Sequence, residues 1–196
     1  DLDGFGDNPL GNQPDAFPDN PTQWLDTDGD GYGDNSISSY PNAWQADNFS
    51  DDSTQWKDTD GDGYGDNASG NEPDSCVDRM GSSRYDRYGC PDSDGDGYSN
   101  ADGNWLAHPS GFADAFPDEE TQWHDVDGDE YGDNQEAEAW QSDACPATYG
   151  KSYRDRWGCP DTDGDGASDP QKELGWLAHP MGDADAFVND PTQWED

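Results

Sequence analysis

Asp26-Thr27-Asp28-Gly29-Asp30-Gly31-Tyr32-Gly33-Asp34-Asn35 returns almost unchanged at 58–67 and 125–134. Looser copies begin at Asp92 and Asp161, and the chain opens on a copy without its first two residues, Asp1-Leu2-Asp3-Gly4-Phe5-Gly6-Asp7-Asn8. Position 1 is Asp26, Asp58, Asp92, Asp125 or Asp161, and position 3 is Asp1, Asp28, Asp60, Asp94, Asp127 or Asp163. Position 5 is Asp3, Asp30, Asp62, Asp96, Asp129 or Asp165, and position 9 is Asp7, Asp34, Asp66, Asn100, Asp133 or Asp169. Carboxylates at this spacing form a cage for a hard cation that takes six to eight oxygens, and calcium is the ion that fits such a set. Position 7, whatever its side chain, can add a backbone carbonyl: Phe5, Tyr32, Tyr64, Tyr98, Tyr131 or Ala167. Glycine at position 6 permits the sharp turn. Glu130 breaks that rule in the loop that starts at Asp125, and Asn100 removes one charge from the loop that starts at Asp92.

Working outward, loop starts fall every 32 to 36 residues, with a further one at Asp196. Each connector ends in Asp-x-Phe or Asp-x-Cys, headed by Asp15, Asp47, Asp74, Asp114, Asp143 and Asp185. Seven residues after each triplet Phe comes the Trp of Thr-Gln-Trp, namely Trp24, Trp56, Trp123 and Trp194. Cys76 and Cys145 are followed fourteen residues later by Cys90 and Cys159 inside Gly-Cys-Pro. The expectation is that a Phe–Trp contact and a disulfide are two forms of one staple. Even cysteine number and identical spacing predict the pairs Cys76–Cys90 and Cys145–Cys159 in an oxidising compartment. Zinc is the alternative, although it prefers tighter Cys-x-x-Cys or Cys/His spacing.

Composition sets the limits. The chain has 196 residues, 47 acidic against 8 basic, a formal charge of −39 and 29% hydrophobic residues. A single oily core is not expected, and the cation-free polypeptide should be expanded by its own repulsion. That charge argues against nucleic acid and anionic membranes as partners. No apolar run approaches the roughly 18–20 residues that span a bilayer. Loops and triplets together hold 28 of the 47 acidic residues. One divalent ion per loop leaves much of the charge uncancelled, so one or two calcium ions per repeat are expected.

These residues resemble thrombospondin type 3 repeats, including those of prokaryotic surface proteins. The likeness rests on the Asp-x-Asp-Gly-Asp-Gly-x-x-Asp loops and on Gly-Cys-Pro-Asp-x-Asp-Gly-Asp-Gly at 89–97 and 158–166. It covers essentially the whole chain, although the Cys that commonly follows the loop in animal members is Asn or a connector here. The resemblance implies an elongated, mostly irregular array wrapped around calcium ions. An EF-hand fits less well, since position 12 is Ile37, Ser69, Gly103, Glu136 or Lys172 and only Glu136 suits it. The triplet Asp, folding back onto a loop, is the expected source of the missing ligand.

The fold expected is one continuous, calcium-stapled tandem array over residues 1–196, with little regular helix or strand. Only Gln135–Trp140 and Pro170–Leu177 look able to form a helical turn. The connectors recur in kind: Gly11-Asn12-Gln13-Pro14, Trp44-Gln45 and Trp105-Leu106-Ala107-His108-Pro109 each have a second copy. In-register tryptophans favour packing over a sugar platform, and the same reasoning applies to His108 and His179, while His124 stands alone. Asn48-Phe49-Ser50 and Asn67-Ala68-Ser69 have the form of glycosylation acceptors. Hydrolase, zinc-protease and phosphate-loop motifs are missing, so no enzymatic role is expected. Without initiator Met or signal sequence, the chain is expected to be a mature or excised segment. It begins at position 3 of a loop and ends at position 1, which suggests either a longer covalent array or head-to-tail self-association into a filament at a shared cation site. The leading expectation is an extracellular spacer, stalk or filament subunit; the alternative is a calcium-scaffolded adhesive or glycan-binding module.

Overall fold

The computed structural model describes residues 2–37 and 39–196, so the predicted ligand Asp1 lies outside the described residues. Within them the chain is almost wholly irregular. The one helical element is a short 3-10 turn at Lys172–Leu174, and paired backbone occurs as isolated bridges. The segment 135–140 makes a turn rather than a helix. Two compact units form, Asp1–Pro91 and Asp92–Asp196, and the division falls on the first residue of a loop.

The same backbone register recurs in both units. Each triplet Asp donates its N–H to the carbonyl at loop position 8: Asp15 to Gly6, Asp47 to Gly33 and Asp74 to Gly65, then Asp114 to Ser99, Asp143 to Gly132 and Asp185 to Ser168. The next residue donates to the ring-bearing residue downstream: Ala16 to Trp24, Asn48 to Trp56 and Ser75 to Tyr88, then Ala115 to Trp123, Ala144 to Trp157 and Ala186 to Trp194. The first set folds the triplet onto the loop before it; the second closes the segment leading to the next loop.

That second set corrects the two-staple expectation. Both disulfides form, Cys76–Cys90 and Cys145–Cys159. However, the structural counterparts of the Thr-Gln-Trp rings are Tyr88 and Trp157, not the second cysteines. Trp24, Trp56 and Trp123 stack on position 7 of the preceding loop, and among the described residues no ring contact joins them to the triplet Phe. Phe5–Trp24, Tyr32–Trp56 and Tyr98–Trp123 lie 4.9, 5.1 and 5.4 Å apart, within 8° of parallel. Tyr64–Tyr88 and Tyr131–Trp157 repeat the contact at 5.6 Å. Where position 7 is Ala167, the Arg154 guanidinium sits 4.1 Å over the Trp194 ring instead. Offset ring pairs of this kind add about 0.5–1.5 kcal/mol beyond their buried area. The disulfide, then, is an added cross-link in two of the segments, not a substitute for the ring contact.

The interior is polar. Among the described residues the buried apolar side chains are small, Ala113, Ala167, Ala184 and three of the cysteines. The largest fully buried side chains include Gln23, Gln55 and Gln122 of the Thr-Gln-Trp motif. Each carboxamide grips both backbone groups of the Asn at loop position 10. Gln55 Nε2 donates to Asn67 O at 3.1 Å and Oε1 accepts from Asn67 N at 3.0 Å. Gln23 and Gln122 do the same with Asn35 and Asn134. The Asn side chain answers by donating to the carbonyl of the Thr before the Gln, at Thr22, Thr54 and Thr121. This clamp explains the glycine at position 8. A Cβ on Gly33, Gly65 or Gly132 would overlap the Gln carboxamide. Loops that follow Gly-Cys-Pro carry Ser99 or Ser168 there, and the Ser168 N–H and hydroxyl both donate to Asp155.

Gly65→Ala is therefore expected to destabilise the protein by about 1–3 kcal/mol through overpacking. Gly103→Ala should be close to neutral, because its Cβ meets nothing within 4 Å. Urea unfolding of both variants in millimolar calcium measures the difference.

Candidate metal centres

The loop is made of aspartates that bind the backbone ahead of them. Position 1 accepts from the N–H groups of positions 4 and 6: Gly29 and Gly31 donate to Asp26 at 2.7 and 3.1 Å, and Gly61 and Gly63 to Asp58 at 2.6 and 3.0 Å. Asp92, Asp125 and Asp161 do likewise. Position 5 accepts through Oδ1 from the N–H two residues on, in Asp3, Asp30, Asp62, Asp96, Asp129 and Asp165. The triplet aspartates form the same turn with the following Phe or Cys N–H, at 2.6–2.7 Å in all six.

Each such turn uses one carboxylate oxygen and leaves the other. The Oδ2 atoms of position-3 Asp28 and Asp163 are buried without a hydrogen-bond partner, as are those of position-5 Asp30 and Asp165. The same holds for every triplet residue, Asp15, Asp47, Asp74, Asp114, Asp143 and Asp185. Asp114, Asp143 and Asp185 are each 1% exposed. Carboxylate oxygens are not buried unpaired without a compensating charge. The residues present therefore fit a metal ion bound through oxygen. Five loop triads hold ligand atoms within 4.8 Å of one another: Asp26/Asp28/Asp30, Asp58/Asp60/Asp62, Asp92/Asp94/Asp96, Asp125/Asp127/Asp129 and Asp161/Asp163/Asp165. These clusters could hold metal ions.

The triplet residue is brought to the triad before it. Burial pushes the carboxyls of Asp47 and Asp74 up to about 6, and those of Asp114 and Asp143 to about 7. The aspartates of the preceding loop add repulsion in each case, Asp30 on Asp47 and Asp129 on Asp143 leading. Asp185 is raised in the same way beside Asp165 and Asp163.

At position 9, Asp34, Asp66 and Asp169 brace their own loops. Asp34 Oδ1 accepts from Thr27 N and Oδ2 from Thr27 Oγ1, at 3.0 and 2.6 Å. Asp66 and Asp169 repeat this with Thr59 and Thr162, and Lys57 adds an ion pair to Asp66 at 2.6 Å. Asn100 Oδ1 accepts from Ser93 N and its Nδ2 donates to Ser93 Oγ, so the brace persists without the charge and with the side-chain donor reversed. Glu130 at position 6 adopts φ +79° and pairs with Lys151 at 3.1 Å.

The loops before the disulfides differ in one respect: Gly81 and Gly150 donate their N–H groups to Oδ2 of Asp62 and Asp129. Other predicted candidates are packed. Trp176 lies under Arg156 and its Nε1 donates to Ser168, while Trp105 tilts against Phe112. His124, solitary in sequence, lies 4.3 Å from His108, and His179 Nδ1 accepts the Asp196 N–H. Among the described residues no helix is long and apolar enough to cross a membrane, and the two disulfides fit an oxidising environment. No family model and no curated protein matches the chain.

A carboxyl with its folded pKa above its unfolded one holds a proton more strongly in the folded chain. Stability of the cation-free protein should thus fall as pH rises from 3.8 through about 7, the window set by Asp47, Asp74, Asp114 and Asp143. In excess chelator the thermal midpoint should be higher at pH 5 than at pH 7.5. Cation affinity should run the other way, weakening as pH falls through 7 and protons compete; calorimetric titrations at the two pH values measure it.

Proposed function

We propose that the chain is an extracellular, calcium-binding structural repeat protein, similar to thrombospondin type 3 repeats, that acts as a spacer or stalk rigidified by calcium. The observation that carries the reading is the unpartnered, buried Oδ2 in all six triplet aspartates, each held in one register against a loop. An all-oxygen donor set of carboxylates and carbonyls suits a hard cation, and a shell wider than magnesium's octahedron suits calcium. Bound at a loop, the ion supplies the positive charge that offsets repulsion among three or more carboxylates. Position 1 shapes the turn, positions 3 and 5 present carboxylate oxygens, and the triplet Asp closes the donor set. Affinities of extracellular calcium modules, about 10⁻⁴–10⁻³ M, suffice for this role.

Cation binding is then folding free energy. Excess chelator should abolish near-ultraviolet circular dichroism and protease resistance, and millimolar calcium should restore both while equimolar magnesium restores much less. Dichroism and proteolysis unchanged by chelation would overturn the reading. At a single site, Asp114→Asn should remove one cation equivalent and speed proteolysis around 92–116.

A second reading, an adhesive or glycan-binding module, finds some support in Trp44. The residue is 66% exposed beside a groove of about 500 Å³ lined by Ile37, Trp56 and Thr59. Glycan binding in calcium that is lost in Trp44→Ala but kept in Trp176→Ala would favour it.

A further inference from the structure

The Asn-x-Ser triplets at Asn48 and Asn67 share the form of a glycosylation acceptor, and the structure separates them. Asn67 is the position-10 residue of its loop, half-buried, and its amide is engaged at both ends. Nδ2 donates to Thr54 O at 2.8 Å, and Oδ1 accepts the Ser69 N–H at 3.2 Å. Asn134 makes the same two bonds, with Thr121 and Glu136, although no Ser or Thr stands two residues after it. The carboxamide clamp therefore accounts for Asn67. It does not account for Asn48, the middle residue of Asp47-Asn48-Phe49, a place held in the other triplets by Ala16, Ser75, Ala115, Ala144 and Ala186. Ser50 follows that triplet, where the others continue with Pro18, Val77, Pro117, Pro146 and Val188. The two departures from the repeat are the two residues that an acceptor requires.

The backbone at Asn48 keeps the common register, its N–H donating to Trp56 O at 3.1 Å, so the fold makes no demand for an amide side chain there. The residue is exposed, and its Nδ2 reaches Asp58 O at 3.4 Å, beyond the usual hydrogen-bond range. Asn48 also lines the groove of about 500 Å³ beside Trp44, together with Tyr32, Ile37 and Trp56. That volume lies within the range of small-ligand sites, and indole faces pack against the C–H faces of pyranose rings. We propose that Asn48 is an N-glycosylation site whose first sugars lie in the Trp44 groove, and that Asn67 stays unmodified. The inference goes beyond the structural role proposed above. Transfer joins Asn48 Nδ2 to the anomeric carbon of an oligosaccharide carried on a lipid pyrophosphate. The bond from that carbon to the pyrophosphate oxygen breaks, its electron pair leaves with pyrophosphate, and the amide releases one proton. The two disulfides fit the secretory setting in which such acceptors are used. A bulky, solubilising group at this point covers Trp44, otherwise 66% exposed.

Secretion of the 196-residue chain from a eukaryotic cell, alongside a glycoprotein whose own acceptor is fully occupied, tests the assignment by peptide mass spectrometry. The expected result is glycan on the peptide that contains Asn48 and none on the peptide that contains Asn67. Asn48→Ala, which restores the residue of the neighbouring triplets, should remove the glycan and leave protease resistance in calcium unchanged. Trp44→Ala should keep the glycan but uncover its linkage, so that a peptide N-glycosidase releases it from the folded chain several-fold faster. An unmodified Asn48 beside the occupied control, or a protease-resistant chain with glycan at Asn67, overturns the proposal. Equal release from Trp44→Ala and the unaltered chain overturns the seating in the groove.

Discussion

One local interaction governs this molecule: an aspartate accepts the N–H two residues ahead through one oxygen and holds the other apart. The turn is a competitor of helix and sheet, which is why Asp-rich, Gly-rich sequence makes neither here. Repeated at position 5 and in the triplet, it produces both the irregular backbone and the inward row of unpartnered oxygens. Shape and binding chemistry are thus consequences of the same hydrogen bond. The electrostatic debt is large, since neighbouring carboxylates repel and burial raises their proton affinity. In a chain of charge −39 the loop aspartates are clusters that could hold metal ions and so offset that repulsion.

What stands in place of an oily core is a set of reciprocal amide contacts. Gln23, Gln55 and Gln122 satisfy the backbone of the Asn at position 10 and are satisfied in return, so nothing polar there is left wanting. Buried amides that pair fully add geometric precision even where their net energy is about 1 kcal/mol each. Ring stacking on position 7 ties each loop to the segment that follows. The basic residues between the cysteines serve this framework: Arg154 and Arg156 lie on indole rings, and Lys151 bonds the Asp129 carbonyl and Glu130.

Much of this was legible from residue types alone. Loops, triplet aspartates and cysteine pairs announce themselves through charge and spacing, because their chemistry demands those residues at those offsets. The clamp was not legible: Gln55 looks like a surface residue until its carboxamide is seen over Gly65. Position 7 was valued only for its carbonyl, although its ring carries a stack. Counting back from the next loop equated Cys90 with Trp56, whereas the backbone pairing equates Tyr88 with Trp56, since Gly-Cys-Pro displaces the ring residue by two. Position 9 carries a second role for a related reason. An acidic residue at a ligand offset can also brace its own turn, as Asp34, Asp66 and Asp169 do.

The match between the residue before a loop and the residue at position 8 has a genealogical meaning. A Thr-Gln-Trp tail tolerates only glycine at that point, and the two Gly-Cys-Pro tails are each followed by a loop with serine there. Crossovers that shuffle whole loops against foreign tails would drive a carboxamide into a hydroxymethyl group, so productive duplication must copy tail and loop as one inherited word. The parallel between 76–123 and 145–194 obeys that grammar: both begin inside a cysteine segment and carry their tail-and-loop pair intact.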